Sequence, residues 1–252
     1  MKKIKKVNLK ITNEILELRD TRGPLDSFTF SFLTNFSEHA RLMHSLISND
    51  KNKIELYKIA YRQYFVFLIS CWETYFRDTF VYVYSRNKEL ISALMLKMKS
   101  DHLINQDGGV TQAELLSKSF NFQNINDIDD AFDGVWADAF LDYICSFSIE
   151  PCGINGKIAS KLSIENIFED WRNIIESAFS IRHRVVHDAN FRPELNVELI
   201  SQIEALFLIV PQFVTYALSK RFNLSSVFTA DNIPYIFSMH DILANDWNVI
   251  EN

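Results

Sequence analysis

Turn-forming residues are what this chain has least of. Only 6 glycines and 5 prolines serve 252 residues, so breaks are few and the elements between them long. Cysteine is almost absent. Cys71, Cys145 and Cys152 are odd in number and lack metal-type spacing, which excludes a disulfide framework or zinc knuckle and predicts reduced thiols in a cytoplasmic protein. No apolar stretch follows the Lys-rich start from Met1 to Lys10, so no signal peptide is expected. The longest uncharged run, Ala205 to Ser219, is too short for a membrane span and is interrupted by Pro211. An excess of positive charge is missing too. A net charge of -6 excludes a protein coated with cations for non-specific nucleic-acid binding.

What remains is apolar, aromatic and unevenly charged. The apolar fraction of 48% excludes a disordered chain. The 21 phenylalanines recur at helical spacing and read as core. Residues 121–150 carry Asp127, Asp129, Asp130, Asp133, Asp138, Asp142 and Glu150 with no Lys or Arg, a solvated acidic face by default. Residues 171–192 hold Arg172, Arg182, Arg184 and Arg192 against Glu176 and Asp188, so a local basic site on an acidic protein is expected.

Helical periodicity dominates. Phe28, Phe32, Phe36, Leu42 and Leu46 mark one face of a helix over 26–47. A second spans 52–84, nearly apolar all round between Tyr64 and Trp72 and therefore central. A short helix follows over 88–98, and Gln106 to Gly109 breaks the chain. Thr111-Gln112-Ala113-Glu114 fits a capping box. The Asn/Asp-rich run 121–130 reads as a loop leading into a helix over 131–147. Further breaks are expected at Glu150 to Gly153 and at Asn155-Gly156. One helix is predicted over 163–187, with Ile167, Phe168, Trp171, Ile174, Ile175, Ala178, Phe179, Val185 and Val186 inward. Another runs over 195–221, kinked or broken at Pro211, and a last one lies near 241–247. These elements predict an all-α helical bundle over 26–221, with an N-terminal extension (1–25) and a short C-terminal extension (222–252).

The segment Arg182-His183-Arg184-Val185-Val186-His187-Asp188 concentrates the chemistry. Imidazole moves protons near neutral pH, and guanidinium grips phosphate in two-pronged fashion. On a helix His183 and His187 share a face, and the long stem of Arg182 can reach the same groove. Three readings follow from spacing. One is acid-base ribonuclease work on a ribose 2′-OH. A second is a metal pair, His183-x3-His187, although the Glu of the helical zinc motif is absent and Arg184 disfavours a cation. The third is a helix terminus whose Arg and His complement the dipole.

Arg182-x4-His187, with the polar His183 directly after the arginine, resembles the R-x4-6-H signature of the HEPN superfamily. Phe67-Leu68-Ile69-Ser70-Cys71-Trp72-Glu73-Thr74-Tyr75-Phe76-Arg77-Asp78 is similar to the early helix of RiboL-PSP-type HEPN proteins. Phe120 to Ile125, continuing to Ala131-Phe132, is similar to their middle loop and helix. The resemblance covers roughly residues 55–220. It implies a metal-independent endoribonuclease of toxin or antiphage type, a homodimer with two motifs facing one cleft, RNA as substrate, no cofactor, and an antitoxin or regulatory partner. It further implies that Arg182 and His187 are the catalytic pair and that His183 supports them. Glu73 orients Arg182 or is an ordinary carboxylate. Arg184 contacts phosphate or is a solvated charge, and Asp188 caps the helix or orients His187. Trp72, Tyr75 and Trp171 are expected in the core. A reading from a different class stays open: a non-catalytic HEPN-like module that binds a partner protein or a nucleotide.

Overall fold

The computed structural model describes residues 9–20, 25–49, 54–99, 109–152, 159–188, 190–193, 196–224, 228–230 and 233–244. The helices α1 (Leu9–Asp20), α2 (Leu25–Asn49), α3 (Ile54–Arg86) and α4 (Lys88–Met98) come first. The short helices α5 (Gln112–Ser117), α6 (Ile125–Ala131), α7 (Phe140–Ser146) and α8 (Ile164–Ile167) follow. The long α9 (Trp171–His187) and α10 (Val197–Phe222) lead to a two-stranded antiparallel ribbon, β1 (Thr229–Ala230) and β2 (Ile233–Pro234), and to α11 (Met239–Ala244). The fold is all-α, as the periodicity predicts. The predicted breaks at 106–108, 153 and 155–156, and the end of the last predicted helix at 245–247, lie outside the described residues.

The apolar girth of α3 explains its place. It packs against α2, α4, α5, α9 and α10, with Trp72, Tyr75, Phe76, Phe80 and Tyr84 fully buried. Each such aromatic contributes on the order of 2 kcal/mol by burial alone. Trp72 meets Phe207 of α10 at 4.3 Å and Phe179 of α9 at 6.4 Å between ring centroids, and this contact fixes where α9 lies. Phe80, Phe120, Phe122, Phe132 and Phe140 continue the aromatic core, so the abundant phenylalanine is packing material.

Polar ties cross the same core. The Tyr75 hydroxyl donates to the Pro211 carbonyl at 2.7 Å, and Thr215 Oγ1 lies 2.7 Å from Tyr75 and 2.8 Å from Thr29. Thus α2, α3 and α10 share one hydrogen-bonded knot. Pro211 does not break α10, which runs unbroken from its Asn196 cap to Asn223 in the left-handed conformation. α10 is the one described helix long and apolar enough to cross a membrane, and most of that apolar window is buried in the domain. Ile15 of α1, and Phe228, Phe237 and Ile242 near the C-terminus, join the same core.

Two predicted helices are divided. The 131–147 helix is replaced by α6, which starts six residues earlier under an Asn124 cap, a turn with Gly134 at φ +82, and then α7. The 163–187 helix is interrupted at Phe168, whose non-helical backbone separates α8 from α9. Ile167, Leu42 and Val186, placed inward by periodicity, are instead exposed. The acidic run is also less of a solvated face than expected. Asp127 and Asp129 accept backbone N–H groups, while Asp133 and Asp142 pair with Lys97 and Arg172.

Candidate functional site

α9 buries Trp171, Ile174, Ile175, Ala178, Phe179 and Val185. Steps of three and four along that stripe lead from Ala178 and Phe179 directly to position 182 and on to 185. Arg182 therefore occupies a core-facing register position, and its side chain is half-buried with a fully buried Nε that has no partner among the described residues. An arginine at such an edge needs an acceptor. It finds one in Gln123, whose Oε1 accepts from Arg182 Nη1 at 2.9 Å.

The contact extends inward. Gln123 Nε2 donates to Glu73 Oε2 at 2.7 Å, and the other oxygen of Glu73 pairs with Arg77 Nη2 at 2.6 Å. Glu73, expected to orient Arg182 from the neighbouring helix, is thus linked to it, among the described residues, through Gln123. Arg77 lies over the Phe122 ring at 5.8 Å. Gln123 and Arg77 are the residues that sequence reasoning missed.

The loop bearing Gln123 is held in an unusual shape. Phe122, buried, has φ +56, a left-handed conformation that a bulky side chain adopts at a cost. Asp127 compensates, since its Oδ2 accepts from the backbone N–H of Asn121 and, at 2.9 Å, of Phe122. Asn124 Oδ1 in turn accepts from Asp127 N at 2.7 Å. The pattern Asn124-x-x-Asp127 is the one sequence signal that could have located both the start of α6 and this loop.

His183 and His187 lie on the exposed side of the last turns of α9, their ring centroids 4.6 Å apart, as the i, i+4 spacing predicts. Arg182 and His187, five residues apart, point about 140° from each other around the helix axis, with the exposed Val186 between them. The structure brings the two histidines together and holds Arg182 towards Gln123. Arg184 is exposed, its guanidinium stacked 3.8 Å over the Phe191 ring. Asp188 is the cap residue. Its backbone N–H donates to the Arg184 carbonyl and its Oδ1 accepts from Asn190 N at 2.9 Å.

Trp72, Tyr75 and Trp171 are core, as expected. The thiols of Cys71, Cys145 and Cys152 are free and buried. Burial pushes Cys71 up to about 12 and raises Cys145 as well, so neither offers a thiolate near neutral pH. Among the described residues no group of three or more His, Cys, Asp or Glu converges as a metal centre requires.

No curated protein and no solved structure matches the chain. The sequence model described as RiboL-PSP-HEPN matches residues 30–214, a span that includes α3, the Gln123 loop and the whole of α9. That match covers well over half of an all-α chain, and the protein belongs to the RiboL-PSP-HEPN family.

Proposed function

We propose that this protein is a metal-independent endoribonuclease serving in a toxin or antiphage role. One observation carries the reading. A half-buried arginine and an exposed histidine pair close the same helix, within a family whose members are often ribonucleases.

In this chemistry a neutral imidazole takes the proton of a ribose 2′-OH, and that oxygen attacks the adjacent phosphorus. The P–O5′ bond then breaks, and an imidazolium returns a proton to the leaving O5′. Arg182 stabilises the charge that builds on the non-bridging oxygens. His187 exchanges the proton, and His183 shapes the groove or shares that work. The products are a 2′,3′-cyclic phosphate and a 5′-OH.

Arg182 and His187 diverge around one helix, so a single copy does not aim both at one phosphate. A two-fold dimer across the last turns of α9, seated on the exposed Val186, sets Arg182 of one copy opposite the partner's His187. It also doubles the positive charge at the cleft of an acidic protein.

The test is incubation of the purified protein with total RNA in EDTA, beside Arg182→Ala and His187→Ala. Wild-type cleavage with cyclic-phosphate ends is expected, and each variant should lose at least about 100-fold in rate, the usual size of a general acid-base or oxyanion contribution. Full activity in either folded variant rejects the assignment. No cleavage by a folded wild-type dimer shifts the reading to a partner-binding module.

A further inference from the structure

We propose that Gln123 is a positioning residue for Arg182, a neutral relay that aims the guanidinium while keeping the Glu73 carboxylate off it. The consequence for cleavage rests on the ribonuclease reading, whereas the relay itself rests on the hydrogen bonds.

The orientation of the Gln123 amide is dictated by its neighbours. A carboxylate only accepts and a guanidinium only donates. The NH2 of Gln123 must therefore face Glu73, and its carbonyl must face Arg182, which is what the 2.7 and 2.9 Å contacts describe. The flipped amide would set donor against donor and acceptor against acceptor. A glutamine between an anion and a cation thus has one satisfactory pose, and that pose locks the Arg182 stem.

Glu73 is already paired. Its second oxygen is held by Arg77 at 2.6 Å, with both side chains largely withdrawn from water. Were Glu73 to reach Arg182 directly, a second ion pair would spend the positive charge that a phosphate needs. Interposing a neutral amide keeps the aim of the carboxylate without its neutralising effect.

The backbone supplies a second, independent line of support. The residue just before Gln123 is a buried phenylalanine at φ +56, held there by the Asp127 carboxylate. Strain of this kind persists only where surrounding contacts over-determine it, and it concentrates at functional sites. Releasing Phe122 would swing Gln123 away from the line between Glu73 and Arg182.

The experiment measures binding of a fluorescent 2′-O-methyl oligoribonucleotide, which presents phosphates but no nucleophile. Wild type, Gln123→Glu, Gln123→Leu, Arg182→Ala and the two double variants with Arg182→Ala are compared, with thermal melts reporting the fold. Gln123→Glu is expected to weaken binding at least tenfold, because it hands Arg182 a carboxylate. Gln123→Leu, which keeps bulk without the tether and does not crowd Glu73, should weaken it several-fold. Both effects should vanish in the Arg182→Ala background, a coupling that a merely structural residue would not show.

Wild-type affinity in both single variants overturns the relay, as does an equal loss with and without Arg182, or probe binding that ignores Arg182. Cleavage of unmodified RNA is read in parallel. Coupled binding without any cleavage keeps the relay and removes the ribonuclease reading. Arg182-dependent cleavage indifferent to Gln123 does the opposite.

Discussion

Arg182 illustrates how a single side chain can be read in one respect and not in another. Its five-residue spacing from His187 is visible in the sequence, and its position in the apolar stripe of α9 follows from counting. Its acceptor is not visible, because Gln123 reaches it only through a left-handed Phe122, and neither Gly nor Asn marks that position. Asp127 carries the cost of this turn, and the prediction at this scale concerns it. Asp127→Ala removes the acceptor of the buried Phe122 N–H, a loss of about 2 kcal/mol, while Asp127→Asn, which keeps an acceptor oxygen, should lose less. Urea denaturation measures both, and on the proposed ribonuclease reading RNA cleavage should fall with the alanine variant as Gln123 drifts. Equal stability of the alanine variant and wild type would remove Asp127 as the keeper of the loop.

Elements defined by their own sequence were the legible ones. The long helices α2, α3 and α10 declare themselves by period, and the capping box at Thr111 forms in both halves. The short helices of the acidic stretch did not, although α4 and the capped α5 did. α6 and α7, seven residues each, give too few turns for a period in an acid-rich stretch. The division of α8 from α9 fell inside an unbroken apolar pattern, where only the backbone of Phe168 reveals it. The capping box also does more than its local pattern says. Glu114, buried, pairs with Arg19 at 2.5 Å and so ties α1 to α5. Burial pushes its carboxyl up, but the Arg19 ion pair and the Thr111 hydrogen bonds outweigh this and hold it below the ordinary carboxylate range. A depressed folded value means stability that is present above the unfolded value and lost as pH falls through the folded one. Glu114→Gln should therefore be less stable than wild type near neutral pH, by about 1 kcal/mol given the partly exposed Arg19, with the gap closing on acidification. Asp129, raised by burial, pulls the other way in both proteins and cancels from the comparison. A gap that stays constant from neutral to acid pH would refute the assignment to this carboxyl.

Over the whole molecule, stability depends on pairings between residues far apart in sequence, which no local pattern discloses. Tyr75 with Pro211 and Thr29 with Thr215 are of this kind. So is His44 of α2, whose Nε2 lies 3.1 Å from Glu204, a carboxylate buried on α10. The phenols beside it stay neutral, Tyr61 pushed up to about 12 and Tyr64 raised further, in both cases by burial first and the Glu204 charge second. They carry no charge to set against Glu204, whereas His44 does when it is protonated. The hydrogen bond to Glu204 raises His44 above its ordinary 6.5, burial opposes this, and the charge of Glu204 adds to it. A raised folded value means that the contribution is complete below the unfolded value and lost as pH rises through the folded one. Above that range α10 carries a buried carboxylate beside a neutral imidazole, the costly half of a broken pair. Glu204→Gln removes the charge at every pH. The variant should be less stable than wild type at about pH 6 and regain or exceed it at about pH 9, so chemical denaturation curves of the two proteins should converge or cross. Parallel curves, or a gap that widens with alkali, would show that the His44–Glu204 pair adds nothing to the packing and the Thr29–Thr215 hydrogen bond between α2 and α10, and that His44 is incidental to the bundle on which α9 and its site are mounted.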